Sequence, residues 1–204
     1  ALRLAQEDVS KINVASDGMA SSNWQQMLAL GWQGVIVSEE DGGVGATIQD
    51  LTAIVEAVAR QGNGAPLVDR CAVAPVLLSA AKAHPQATEL LGALMTGDVS
   101  VCTALDAGEN GPGQITAPWW GAAGAMQGTL FGIDVTEPAT HVLFRARNVT
   151  SKESMLVFID WAHISNRINK YTGTDGRQYA DANLNGLTIS NDRVLLQGAD
   201  AVHA

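Results

Sequence analysis

A short glycine-rich stretch near the middle of the chain carries residue types that can bind a cofactor. Residues 104–113 read ALDAGENGPG and place three glycines close to Asp106 and Glu109. Glycines let backbone N–H groups approach an anion or an aromatic ring without a Cβ clash. The stretch could therefore be a cofactor loop, or only a polar crossover between two halves of different character.

The histidine, serine and cysteine residues lack the spacing that metal binding or nucleophilic catalysis requires. The four histidines include no pair at a metal-ligand spacing such as His-x-x-x-His, so no metal site is expected. Neither a Gly-x-Ser-x-Gly elbow nor a Cys/His pairing points to a hydrolase. The glycine-rich residues 41–47 lack the lysine of a phosphate-binding P-loop. Cys71 and Cys102 are flanked by small or apolar residues, which favours buried thiols over a disulfide.

The charge balance excludes several classes of partner. The chain has 12 Lys and Arg against 21 Asp and Glu, a net charge of -9, and no basic cluster that could neutralise successive phosphates of a nucleic acid. No apolar run approaches the roughly 20 residues of a membrane-spanning helix. We expect no nucleic-acid or membrane binding. The cysteine usage and the lack of a secretory signal predict a cytoplasmic location.

The first half of the chain is predicted to be helical. Apolar residues recur at helical spacing in four segments, residues 24–31, 47–61, 71–83 and 87–97. In the first segment Ser22 or Asn23 is the expected N-cap and Gly31 the stop. The third segment admits Pro75 only with a late start or a kink. The acidic turn at residues 39–43 is expected to cap the second helix.

The second half is predicted to consist of strands. β-Branched and alternating residues occur in five segments, residues 99–105, 128–136, 141–148, 154–161 and 186–196. Gly, Asn, Asp and Pro clusters separate them at short intervals, which is typical of an antiparallel barrel or sandwich. We therefore predict an α+β fold, with an N-terminal helical domain over residues 1–97 and a β-barrel or sandwich domain over residues 98–204.

The order of these segments resembles that of the acyl-CoA dehydrogenase family. Residues 30–47, LGWQGVIVSEEDGGVGAT, are similar to a family signature in which a helix ends at Leu-Gly and Pro-Glu-Glu-Tyr-Gly-Gly-x-Gly leads to the next helix. Ser38 replaces the proline, Asp41 replaces the aromatic residue, and the retained positions are Glu39, Glu40, Gly42, Gly43 and Gly45. Residues 93–108 resemble the family's entry into its central β-domain, and the resemblance covers nearly the whole chain.

The resemblance implies which residues face a flavin. At this place the family has a loop of the form Ser/Thr-Glu-Pro-Gly-x-Gly-Ser-Asp that bonds the flavin, and later a Trp-Ile-Ser/Thr stretch that packs beside its ring. The implied cofactor-binding residues are Leu105, Asp106, Gly111 and Pro112 in the loop, and Thr136 and Pro138 in the later stretch. Asp106 in place of a hydroxyl and Pro112 without an N–H depart from this pattern and weigh against FAD binding by this chain.

The resemblance also implies two alternative functions. The first is FAD-dependent α,β-desaturation of an acyl-CoA thioester, an oxidoreductase activity of fatty acid metabolism that passes electrons to an acceptor. Its catalytic base is expected in a C-terminal helical bundle outside this chain, so no residue here is assigned as catalytic. The second is a non-catalytic subunit that pairs with an FAD-competent acyl-CoA dehydrogenase subunit. Both imply a homo- or hetero-oligomer.

Overall fold

The computed structural model describes residues 20–60, 64–105 and 117–203, with helices in the first half and strands in the second. The α-helices are α1 (Ala20–Ala29), α2 (Ile48–Arg60), α3 (Ala74–Ala80), α4 (Pro85–Thr96) and α5 (Asp200–His203). The strands are β1 (Val101–Ala104), β2 (Trp119–Trp120), β3 (Met126–Gln127), β4 (Thr129–Asp134), β5 (His141–Asn148), β6 (Ser154–Asp160), β7 (Ile168–Thr172), β8 (Gln178–Asn183) and β9 (Val194–Gln197). Within these ranges no helix is long and apolar enough to cross a membrane.

All four predicted helical segments are present, with shifted boundaries. α1 begins at Ala20, so Ser22 and Asn23 lie inside the helix and the predicted N-cap was wrong. Gly31 follows the helix in the left-handed conformation, with φ of 73°, as a helix stop requires. The third segment starts as a π-helical turn, Asp69–Val73, before α3. Pro75 thus falls in the first turn of α3, where its missing N–H is tolerated.

Thr47, the residue before α2, and Asp50, in its first turn, cap this helix; the acidic turn at residues 39–43 does not. The Thr47 N–H and hydroxyl donate to Asp50 Oδ2 at 2.9 and 2.8 Å, and the Asp50 N–H donates back to Thr47 Oγ1 at 3.2 Å. This reciprocal pairing satisfies two free helix donors locally. Asp41, from the acidic turn, pairs instead with Lys82 Nζ at 3.2 Å.

The strands form two sheets packed face to face. One sheet has the order β3-β2-β5-β6-β9 with β1 also on β5, and the other has the order β4-β8-β7. The sequence predicts an antiparallel sheet, but the first sheet is mixed, because β1 and β2 both pair with β5 in parallel. Between β1 and β5 the chain passes through β4 of the other sheet, and such a long crossover permits a parallel neighbour.

Four strands were missed and one was predicted too long. β2 and β3 have only two residues each, too few to show an alternating pattern. β7 carries polar, largely exposed residues, and the buried residues of β8 are only the small Ala180 and Ala182, so neither sequence shows a clear apolar alternation. In the predicted segment at residues 186–196, only Val194–Gln197 is a strand, and a 3₁₀ turn, Asn191–Arg193, precedes it. The polar residues of that turn interrupt the ladder.

The six-stranded sheet is the middle layer of the protein. On one face of β6, Met155, Val157 and Ile159 pack into the core shared with the three-stranded sheet. On the other face, Leu156 and Phe158 pack against α3 and α4. A strand buried on both faces reads as a continuous apolar run, as β6 does. The boundary between residues 97 and 98 stays a prediction.

Cys71 and Cys102 are free and buried, as predicted. Burial raises the pKa of each thiol to about 12, and only the thiolate is an efficient nucleophile. We expect neither cysteine to react with iodoacetamide in the folded protein at mildly alkaline pH, and both to react after unfolding. Mass spectrometry of the two samples counts the adducts. Rapid labelling of either thiol in the folded protein would contradict the burial described here.

Candidate functional site

The predicted flavin-facing residues that the structure describes lie in two separate places. Leu105 directly follows β1 and packs against the core between the six-stranded sheet and the helices. Thr136 and Pro138 lie in the loop between β4 and β5, which reaches Ser100 just before β1 through the Thr140 N–H. Because a strand rises about 3.3 Å per residue, Leu105 lies roughly 16 Å from Ser100, at the other end of β1. Asp106, Gly111 and Pro112 lie outside the described residues.

A buried arginine holds the β4–β5 loop in place. Arg70, in the π-helical turn before α3, is only 1% exposed. Its Nη1 donates to the Pro138 carbonyl at 2.6 Å and also to the Ser100 hydroxyl. Its Nη2 donates to the carbonyls of Glu137 at 2.6 Å and Asp134 at 3.3 Å. A single side chain from the helical half therefore fixes the conformation of this loop and the entry to β1.

The polar groups of Thr136 are engaged within the β-layers. The Thr136 N–H donates to Asp134 Oδ1 at 2.9 Å, and its hydroxyl oxygen accepts from the Gln178 N–H at 3.2 Å. The second oxygen of Asp134 lies 3.3 Å from Arg177 Nη1. These contacts tie the loop to β8 as well as to Arg70.

Two further carboxyl groups lie beside Arg70. Asp69 accepts hydrogen bonds from the N–H and the hydroxyl of Thr103. The Glu137 side chain is buried, and its Oε1 has no hydrogen-bond partner among the described residues. Burial raises the pKa of both carboxyl groups above the ordinary value, and the positive charge of Arg70 opposes that rise at each of them. The loop is thus anchored in a buried ionic cluster.

Most hydrogen-bonding groups of Thr136 and Pro138 are already engaged within the loop and the β-layers. Only the hydroxyl proton of Thr136 remains to donate, since its N–H already bonds Asp134. Pro138 has no N–H, and its carbonyl already accepts from Arg70. A flavin ring would therefore find few donors on this part of the loop.

Arg70, Asp69 and Glu137 are absent from the set predicted from the sequence. One signal for them is the charged pair Asp69–Arg70 inside the apolar run of residues 65–74. A charge in such a run is costly unless it is paired and hydrogen-bonded, so it marks a buried polar cluster.

Comparison with known proteins shows which family and which solved structures this chain resembles. Residues 3–98 match the sequence model of the acyl-CoA dehydrogenase N-terminal domain. No curated protein sequence matches the chain. The ChsE4-ChsE5 complex from Mycobacterium tuberculosis shares the fold with a TM-score of 0.72 at 18% identity, over 99% of this chain and 57% of that one.

Two other solved structures are similar. The G363A variant of the Tcur3481-Tcur3483 steroid ACAD has a TM-score of 0.73 at 18% identity, over 98% of this chain and 56% of that chain. An acyl-CoA dehydrogenase complexed with FAD from Bacillus anthracis has a TM-score of 0.68 at 16% identity, over 98% of this chain and 35% of its own. This chain therefore spans between about a third and little more than half of the length of these solved structures.

The helical layer on a two-sheet β-unit is the fold of the first two domains of acyl-CoA dehydrogenases. The match of residues 3–98 to the family's N-terminal domain and the shared fold confirm the predicted resemblance to the acyl-CoA dehydrogenase family.

Proposed function

We propose that this chain is an acyl-CoA dehydrogenase-type subunit whose flavin is held by a partner subunit of the same family. The assembled protein would desaturate an acyl-CoA thioester with FAD as the hydride acceptor, and no step of that reaction is assigned to residues of this chain. The observation that carries the proposal is that other residues of this chain already engage the hydrogen-bonding groups of the β4–β5 loop. The Thr136 N–H donates to Asp134, the Thr136 hydroxyl oxygen accepts from Gln178 and the Pro138 carbonyl accepts from Arg70, so few hydrogen-bonding groups remain there for a flavin.

The comparisons support pairing with a second subunit. The ChsE4-ChsE5 and Tcur3481-Tcur3483 structures are each named for two components. The fold likeness to them supports a hetero-oligomer. In the proposal, the partner holds the flavin and passes electrons to an acceptor. The acyl group of the thioester and the cytoplasmic location stay predictions.

A second candidate is that the chain itself binds FAD as an enzyme subunit. It is favoured by the retained signature glycines and glutamates of residues 39–45 and by the family match over residues 3–98. In that case the backbone N–H groups of Asp106 and Gly111 would have to provide most of the donors, because Pro112 has none.

The visible spectrum of the purified full-length protein separates the two candidates. We expect a colourless protein when it is produced alone and near-stoichiometric flavin when it is produced with its flavin-binding partner. The variant Thr136→Val should leave the flavin content of the complex unchanged, because the flavin contacts lie on the partner. A flavin band near one per chain in the protein produced alone would reject the proposal in favour of the second candidate.

A further inference from the structure

A pocket of about 390 Å³ opens at the carboxyl end of β6, between that strand and residues 187–193. This volume lies in the range of small-molecule sites, about 300–1,000 Å³. Its aliphatic wall and its polar rim come from different residues: Ile159, Leu187 and Ile189 form the wall, and His163, Ser190 and Arg193 lie on the rim. The lining therefore offers an apolar surface beside hydrogen-bonding groups.

The cation on the rim is fixed before any ligand arrives. Arg193 Nη1 and Nη2 donate to the two carboxylate oxygens of Asp160 at 3.1 and 3.3 Å. The guanidinium carbon of Arg193 also lies 4.7 Å from the centre of the Phe158 ring. A guanidinium has five N–H donors, so this pairing leaves donors for a further acceptor. A side chain that is already ordered loses little entropy on binding.

The charges around the rim disfavour a ligand with more than one negative charge. Asp160 is shared by Arg193, by His141 Nε2 at 3.1 Å and by His163 Nδ1 at 3.5 Å. Burial lowers the pKa of His141, so that ring adds no charge at neutral pH. Asp192, the residue before Arg193, accepts from Gln86 Nε2 at 3.2 Å. A dianion such as a phosphate monoester would be repelled by both carboxylates more strongly than a carboxylate would be.

We propose that this pocket binds a small monocarboxylate with an apolar body. The carboxylate accepts hydrogen bonds from the N–H groups of Arg193 that Asp160 leaves free, and the apolar body packs on Ile159, Leu187 and Ile189. Charge-assisted hydrogen bonds of this kind are the stronger ones, whereas the aliphatic wall selects for hydrocarbon over a purely polar ion. The site is separate from the β4–β5 loop and does not depend on the proposed function.

Isothermal titration with phenylpropanoate tests the proposal, with the uncharged phenylpropanamide as the matched ligand. We expect saturable binding of the acid, and binding of the amide at least about tenfold weaker, because only the acid pairs with Arg193. The variant Arg193→Met should weaken binding of the acid by at least about tenfold. Lys170→Met, which removes the same charge at an exposed position on β7, should bind the acid like the wild type.

Removal of Arg193 leaves Asp160 without its main partner, so a second variant keeps that pair and fills the pocket. Ser190→Trp places a bulky ring at the exposed rim and should abolish binding of the acid while the melting temperature stays close to that of the wild type. Equal affinity for acid and amide, unchanged affinity in Ser190→Trp, or no saturable binding of the acid by the wild type up to about 10 mM would each overturn the proposal.

Discussion

Replacement of Arg70 by methionine is expected to lower the free energy of unfolding by about 3–5 kcal/mol, one of the largest effects of any single change in this protein. The change leaves the carbonyls of Asp134, Glu137 and Pro138 without their shared donor in a buried place. A buried acceptor that loses its donor costs about 1–3 kcal/mol. Guanidinium-induced unfolding followed by tryptophan fluorescence measures the difference.

The matched control for this change is Arg60→Met. Arg60 pairs with Glu56 on the surface of α2, where the two side chains are 76% and 60% exposed. Exposed pairs of this kind contribute little, so the control should stay within about 0.5 kcal/mol of the wild type. A similar loss in both variants would mean that burial of Arg70 is not the cause.

The deficit of Arg70→Met should also depend on pH. The positive charge of Arg70 lowers the pKa of Asp69 and Glu137, so its removal raises both folded-state values further above the unfolded ones. A folded carboxyl group with a raised pKa keeps a proton that the unfolded chain releases. Folding therefore becomes less favourable as the pH rises from about 4, the unfolded value, towards the folded one. The deficit should be smaller in mildly acidic buffer than at neutral pH, and a deficit that does not change with pH would contradict this account.

Gly43→Ala is the second change with a large expected effect. A Cβ at this position would lie 2.3 Å from the Val37 carbonyl oxygen and 2.5 Å from Val37 Cβ. The turn has little freedom to move, because the Gly43 N–H donates to the Ser38 carbonyl and the Gly45 N–H donates to the Val37 carbonyl. We expect a loss of about 2–4 kcal/mol in chemical denaturation, from overpacking and displaced backbone.

The neighbouring glycine provides the control for Gly43→Ala. Gly42 has φ of 86° and no heavy atom within 4 Å of an added Cβ. Gly42→Ala therefore carries only the strain of a left-handed backbone, about 1–2 kcal/mol. A larger loss for Gly42→Ala than for Gly43→Ala would show that close approach to Val37 is not what requires a glycine in the signature.

Local patterns in the sequence predict the elements that they directly encode. The buried stripe of Leu51, Ile54 and Val58 has helical spacing, and α2 follows it closely. The apolar run of β6 predicts a buried strand. β7 carries a weak pattern because it is largely exposed, and β8 does so because its buried residues are only alanines. No local signal encodes the parallel pairing of β1 and β2 with β5.

The candidate site could be predicted only in part, because its contacts are long-range. The family resemblance identifies the β4–β5 loop by its place in the chain. It does not reveal that Arg70, 68 residues before Pro138, occupies the loop carbonyls. The partner of the Thr136 hydroxyl, Gln178, is 42 residues further on. Such partners depend on how the layers pack, which the spacing of residues within one segment does not determine.

Because β6 is buried on both faces, we expect the helical and strand-forming halves to unfold as one cooperative unit. Leu143, Leu156 and Leu195 of the middle sheet share a core with Leu77, Leu91 and Leu94 of the helices. A chain divided between the halves would expose an apolar sheet face to solvent on one fragment. The apolar helix faces that pack against it would be exposed on the other fragment. The natural module for dissection, transplantation or fusion is therefore the three-layer body as a whole.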